Sequence, residues 1–108
     1  MASVTLDGRK LTDLHAFHRE CELAFGLPDF YGRNISALID CLSGVRDNDG
    51  MSRFFLGPDE MLDIELSDAS IVSHEAPAVM EALEDTVDEV NLRHEEQGLA
   101  PPLRLILL

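Results

Sequence analysis

The chain has 108 residues, of which 45% are hydrophobic and 27% are charged, a composition typical of one globular domain and not of a disordered chain. Its 21 acidic residues outnumber 8 basic ones, which gives a formal charge of −13. This balance disfavours direct binding to nucleic acid or to an anionic membrane surface, since both need a basic face. It favours a basic protein partner, because opposite charges attract at long range.

The first ten residues lack the apolar stretch of a signal peptide, and no later run is long enough to span a membrane. The two cysteines, Cys21 and Cys41, are too few for a disulfide scaffold or a structural zinc site, and we interpret them as buried thiols. We therefore expect a cytoplasmic protein that makes no membrane contact.

The first part of the chain predicts a short strand over 4–6 and then two helices. Asp13 is placed to cap a helix over 14–25, and Asn34 and Gly44 are placed to begin and end the next one. The apolar side chains of the first helix recur at helical spacing, so we expect one buried stripe: Leu14, Phe17, His18, Cys21 and Phe25.

The second part begins with a loop over 45–60, followed by a strand over 61–66 that alternates apolar and acidic residues and should have one solvated face. Residues 68–74 form either a short helix or irregular structure. Pro77 is well placed to begin a long helix, and 103–108 should be a buried closing strand. Two aromatic residues are expected to anchor the loop to the core: Phe54 and Phe55. Strands separated by helices are typical of an α/β fold with parallel strands.

Metal and catalytic chemistry find little support in the sequence. The turn at 47–50 resembles part of a calcium loop, but Val45 and Leu56 fall where the first and last ligands belong. His15 and His18 have a spacing that can face one metal, yet His18 lies on the apolar stripe. Because no Gly-rich phosphate loop or nucleophile elbow is present, we predict a protein that is not an enzyme and has no cofactor. A small hydrolase or metal protein using the histidines or cysteines is one alternative.

The stretch over 27–44 reads Leu-Pro-Asp-Phe-Tyr-Gly-Arg-Asn-Ile-Ser-Ala-Leu-Ile-Asp-Cys-Leu-Ser-Gly. It resembles the signature of the barstar family of ribonuclease inhibitors, in which Leu-Pro, an acidic and an aromatic residue precede Tyr-Gly-x-Asn-x-x-Ala-Leu-x-Asp-Cys-Leu-x-Gly. The resemblance extends more loosely over nearly the whole chain. It includes Asp7-Gly8, Asp13-Leu14-His15 and the apolar C-terminal strand. An insertion is expected around 45–60.

The resemblance implies a single domain over 1–108, an α/β fold in which one three-stranded parallel sheet packs against about four helices. It also implies an intracellular inhibitor that binds a secreted microbial guanyl-specific ribonuclease one to one, with the loop and helix over 28–44 against the nuclease active site. Asp40 holds the position of the family's central aspartate. Because a nuclease active site presents cationic groups to phosphate, a carboxylate on a rigid helix can take the phosphate position.

The resemblance places the partner contacts on a set of residues around Asp40 and on one acidic residue of the last helix: Phe30, Tyr31, Gly32, Asn34, Ser36, Ile39, Asp40, Val45 and Glu89. Glu84 and Asp88 are alternatives to Glu89. Asn34 has two interpretations, as a helix cap or as a direct contact.

Several of these positions differ from the best-known family pattern. Phe30 replaces a tyrosine, Arg33 an acidic residue, Ser36 an aspartate, Ile39 a tryptophan and Val45 another aromatic residue. The changes reduce local negative charge and aromatic area, so they leave open which nuclease is bound. Ser36 and Ile39 support a second hypothesis, a barstar-fold adaptor or antitoxin-like module that binds a different basic protein.

Overall fold

The computed structural model describes residues 2–108. They form three strands and four α-helices in the order β1 (Ala2–Asp7), α1 (Leu14–Phe25), α2 (Ile35–Ser43), β2 (Leu62–Ser67), α3 (Ala69–Glu75), α4 (Pro77–Glu96) and β3 (Leu103–Leu107). A short 3₁₀ turn at Gly8–Lys10 leads from β1 towards α1. The segment after β2, which the sequence left undecided, is helical.

The strands form one parallel sheet in the order β1-β2-β3. Val4 lies opposite Ile64, and Ile64 lies opposite Leu105, so the apolar positions of all three strands share a face. In β2 the side chains on this face are completely buried: Leu62, Ile64 and Leu66. The three-stranded parallel α/β fold expected from the sequence is confirmed.

The opposite face of the sheet is polar and open, as the alternation in the β2 segment predicts. Thr5 is exposed and donates to Glu65 across the strands, at 3.3 Å. Asp63 is nonetheless covered, because the guanidinium of Arg104 reaches both of its carboxylate oxygens, at 2.8 and 2.9 Å. Arg104 therefore holds the pKa of Asp63 below its usual range, chiefly by these hydrogen bonds.

The predicted helix boundaries are confirmed by their caps. The Asp13 side chain accepts a hydrogen bond from the Ala16 N–H at 2.8 Å. Gly26 ends α1 in the left-handed region at φ 62°, a conformation that favours glycine. Pro77 is the first residue of α4, where its missing N–H costs nothing.

Two expectations of burial were wrong at the ends of elements. Leu14 opens α1 and is 42% exposed, because the apolar stripe reaches the core only in the following turn. In the closing strand β3 only Leu103 is fully buried; burial decreases along the strand, and Leu107 and the following Leu108 are 56% and 63% exposed.

Arg46 fixes the loop between α2 and β2. Its guanidinium donates to the carbonyl oxygens of Gly57 (3.2 Å) and Glu60 (3.0 Å), within the loop, and to that of Ala100, before β3. The start of the loop, its end and the approach to β3 are thereby held together.

A second arginine holds the middle of the same loop. Arg53 donates from Nε to the Ala24 carbonyl at 2.8 Å and lies over the Phe54 ring, 4.2 Å from its centroid. Phe54 in turn makes an edge contact with Phe25 of the core. The expected anchoring by Phe54 is confirmed, whereas that by Phe55 is wrong, since Phe55 is 63% exposed.

No helix within residues 2–108 is both long enough and apolar enough to cross a membrane.

Candidate partner-binding surface

Helix α2 forms because its two ends are capped and its inner face is apolar. The Asn34 side chain accepts a hydrogen bond from the Ala37 N–H at 2.8 Å, the geometry of an N-cap. Leu38 and Leu42 are completely or almost completely buried, and α2 packs against α4. The capping interpretation of Asn34 is therefore confirmed, and its side-chain oxygen is engaged in that role.

Asp40 lies on the outer face of this fixed helix. Its side chain is 66% exposed, although the neighbouring Ile39 and Cys41 are both buried. Arg93 of α4 donates to Asp40 Oδ1 at 2.9 Å, and the same guanidinium lies 3.7 Å from Glu89 Oε1. A carboxylate that sequence analysis selects for a partner is thus already paired with a cation of its own chain.

Two surface grooves meet at Arg93. The first, between α2 and α4, is lined in part by three acidic residues of α4, Asp85, Asp88 and Glu89. The second, at the C-terminal end of α2, is lined in part by three others: Asp40, Asp47 and Asp49. Arg93 contributes to both, so one guanidinium stands between two acidic grooves.

The three candidate acids of the last helix fall in different places. Glu89 lines the α2–α4 groove and approaches the guanidinium that holds Asp40. Asp88 lines this groove and also a depression between α3 and α4, where Glu84 lies with Ser73. Of the three, Glu89 is connected most directly to Asp40, and Glu84 faces elsewhere.

The loop in front of α2 presents one large aromatic side chain. Phe30 is 74% exposed, whereas the next residue, Tyr31, is buried with only 6% exposure. The Tyr31 hydroxyl lies 2.5 Å from Nδ1 of His18, which is itself buried on α1. The buried phenol therefore has a polar partner inside the protein, the imidazole of His18.

Burial perturbs the pKa of both members of this pair. It lowers the pKa of His18, with the neighbouring His15 adding to the effect, because the imidazolium form loses hydration. Burial likewise raises the pKa of the Tyr31 phenol above its ordinary value. Both groups are therefore neutral near pH 7, and their hydrogen bond holds the loop to α1.

Arg33 adopts a strained backbone conformation in the same loop. Its φ of 51° lies in the left-handed region, which non-glycine residues seldom occupy. Its side chain folds back on α1, where Nε lies 3.4 Å from Glu22 Oε1. The positive charge of Arg33 is thus paired within the chain.

Three residues expected to contact a partner are buried: Tyr31, described above, Ile39 and Val45. Val45 is completely buried, because the following loop folds over it and Leu56 donates its N–H to the Val45 carbonyl at 2.7 Å. Ile39 is 9% exposed and forms part of the α2–α4 groove wall. Gly32 and Ser36, by contrast, are exposed beside the helix start.

Both cysteines are free and buried, as the sequence indicates. Burial raises the pKa of the Cys21 and Cys41 thiols, which keeps both protonated and poor as nucleophiles. Within residues 2–108, no three His, Cys, Asp or Glu side chains are grouped as a metal site would require.

The acidic side chains exposed on the α2–α4 pair give this surface a charge complementary to a basic partner. Comparison with known proteins is more specific. The profile of the family described as Barstar (barnase inhibitor) matches residues 1–105, and the chain belongs to this family.

A curated relative agrees with this assignment. The chain is 34% identical over 74 residues to the "Putative ribonuclease inhibitor YrdF" of Bacillus subtilis (strain 168), an alignment that covers 59% of this chain and 81% of that protein. The family and the relative together support ribonuclease inhibition as the general function. Because barstar family members are inhibitors, the family match also favours the interpretation that this protein is not an enzyme.

Proposed function

We propose that this protein inhibits a secreted microbial guanyl-specific ribonuclease by covering its active site in a one-to-one complex. The observation that supports this most is Asp40, an exposed carboxylate on a helix whose other face is buried. A group on such a helix meets its partner without first losing conformational freedom, which lowers the cost of binding. The complex would form inside the producing cell and protect its RNA.

Asp40 takes the place of a substrate phosphate in this proposal. A nuclease active site holds cationic donors ready for phosphate oxygens, and a carboxylate can accept hydrogen bonds from the same donors. Among the described residues, Asp40 is engaged only through Oδ1, by Arg93. Its second oxygen is directed to no donor of residues 2–108 and can accept from the nuclease.

Phe30 supplies the apolar part of the interface. A phenyl ring that is 74% exposed is costly in water, and stacking on a partner would remove that cost. The backbone beneath it is fixed because Tyr31 is buried and bonded to His18. Gly32, Asn34 and Ser36 follow Phe30 along the chain and complete the loop and helix start that would face the nuclease.

The grooves on either side of Arg93 contribute by charge. Each is lined by three carboxylates, and one of the lining arginines, Arg46, donates its hydrogen bonds to backbone carbonyls of its own chain. Glu89 is the acid of the last helix that we assign to the interface, because it shares the Arg93 guanidinium with Asp40. A basic active site would be drawn to this surface from a distance.

The proposal is tested by titrating the purified protein into barnase and, separately, into a pyrimidine-specific ribonuclease. We expect barnase activity to fall linearly to zero at one equivalent, with no effect on the second enzyme. If neither barnase nor any other guanyl-specific ribonuclease is bound, the proposal is wrong. A different basic protein recovered by pull-down would then support the adaptor hypothesis.

A further inference from the structure

We infer that Arg93 is a specificity-determining residue of this surface, an internal cation that competes with the target for Asp40. The inference rests on the proposed function and extends it. Arg93 should weaken binding of the target, whereas the acidic residues around it should strengthen that binding.

The geometry shows what Arg93 occupies in the free protein. Its Nη1 donates to Asp40 Oδ1 at 2.9 Å and to Ser43 Oγ at 3.4 Å, while its Nε lies 3.7 Å from Glu89 Oε1. These are the positions that a guanidinium of the nuclease would seek, because Asp40 and Glu89 are the acids assigned to the interface. Arg93 therefore occupies in the free protein part of the site that the target would occupy.

The same contact is weak enough to be displaced. Asp40 and Arg93 are 66% and 42% exposed, and solvent-exposed ion pairs contribute little to stability. A target with several cations in its active site can displace the Arg93 guanidinium from Asp40 or bind despite its charge. A target with a single cation gains little binding free energy when it takes the place of Arg93. Arg93 thus favours strongly cationic active sites and lowers affinity for weakly cationic ones.

Two other arginines pair with acids that the proposal does not assign to the interface, so they provide matched controls. Arg33, in the loop in front of α2, pairs with Glu22 of α1, and Arg9 pairs with Asp68 on another part of the molecule. Arg33→Gln, Arg9→Gln and Arg93→Gln each remove one positive charge and leave the same net charge. Only Arg93→Gln frees Asp40.

The experiment measures the association rate and Kd of barnase for the parent protein and these three variants by stopped flow. We expect Arg93→Gln to bind about two- to fivefold more tightly than the parent, the range set by the energy of an exposed ion pair. Arg9→Gln should bind like the parent. Arg33→Gln should show at most a small rise in association rate. In an Asp40→Asn background the gain from Arg93→Gln should disappear.

Weaker binding by Arg93→Gln than by Arg9→Gln would overturn the inference, because Arg93 would then be orienting Asp40 or contacting the nuclease directly. Equal binding by the two would also overturn it. In both cases inhibition by the parent protein shows that the proposed function stands. If neither the parent nor Arg93→Gln binds barnase or any other guanyl-specific ribonuclease, the proposed function and the inference fail together.

Discussion

The Tyr31 hydroxyl and the Nδ1 atom of His18 lie 2.5 Å apart in the interior, and they join the loop in front of α2 to α1. The apolar spacing of α1 predicted a buried His18, and the resemblance to the barstar family placed Tyr31 among the expected partner contacts. They could not indicate the pairing, since it depends on how α1 and the loop meet in space. A motif predicts which residues are present at a site, and packing determines which of them touch.

This pair predicts how stability changes with pH. Because burial lowers the pKa of His18, the unfolded chain takes up a proton near its ordinary pKa of about 6.5, while the folded protein resists it. The contribution of neutral His18 to the free energy of unfolding is therefore complete above about pH 6.5. It is lost as the pH falls from there through the pKa of His18 in the folded protein. We expect the free energy of unfolding in urea to be lower at pH 5.5 than at pH 7.5.

The matched variants are His18→Phe and His15→Gln. His18→Phe should be less stable at pH 7.5 and should lose much of the pH dependence between 7.5 and 5.5, whereas His15→Gln, at an exposed position, should keep most of it. An unchanged pH dependence in His18→Phe would show that His18 is not the group responsible.

At the scale of elements, helix α2 is the part of the candidate site that the sequence predicts best. Both of its ends and its buried face follow from local rules for caps and apolar spacing. The loop over 45–60 is the part that it predicts least. Arg46 and Arg53 hold this loop by donating hydrogen bonds to backbone carbonyls. Every residue has such a carbonyl, so the sequence does not indicate which of them accept.

Substitution of Asn34 separates its structural role from a direct contact. Asn34→Ala should lower the free energy of unfolding by about 1 kcal/mol, because the Ala37 N–H loses its acceptor. Asn34→Asp keeps a good capping oxygen and should restore stability. If Asn34→Asp is stable but binds the nuclease much more weakly, the Asn34 amide also contacts the partner; equal binding indicates a capping role only.

Substitution of Arg46 tests how the loop is held. Arg46→Ala removes hydrogen bonds to three carbonyl groups and should destabilise the protein by about 1–3 kcal/mol in urea unfolding. Arg9→Ala, which removes only exposed ion pairs, should cost less than about 1 kcal/mol. Equal effects of the two would contradict the bracing role of Arg46.

For the whole molecule, the alternation of strands and helices together with one motif predicted the parallel α/β fold. Neither predicted that Leu107 and Leu108 would be exposed, because burial there depends on how the helices pack over the sheet. Nor could they show that Arg93 pairs with Asp40, since the two residues are 53 positions apart. Helix caps and apolar spacing are local in the chain and can be predicted from the sequence. Contacts between residues far apart in the chain can be identified only from the structure.

The net charge of −13 predicts a salt dependence of association. In the proposed complex most of the carboxylates would not touch the nuclease and would act only through a field that salt screens over about 8 Å at physiological ionic strength. The association rate with a basic nuclease should therefore fall as salt rises, while the dissociation rate changes less. Stopped-flow measurements over a salt series decide this, and an association rate independent of salt would mean that the acidic surface serves solubility.

The most direct test of the role of Asp40 is a barnase titration with Asp40→Ala, compared with the parent and with Glu75→Ala, which removes an exposed carboxylate from α3. We expect Asp40→Ala to lose about 2 kcal/mol or more of binding free energy, as interface hot spots do, a rule for which the barnase–barstar pair is itself a standard example. Its unfolding free energy should change by less than about 1 kcal/mol, because its ion pair is exposed. Glu75→Ala should inhibit like the parent. Full-strength inhibition by Asp40→Ala would contradict the proposal that this carboxylate replaces the substrate phosphate.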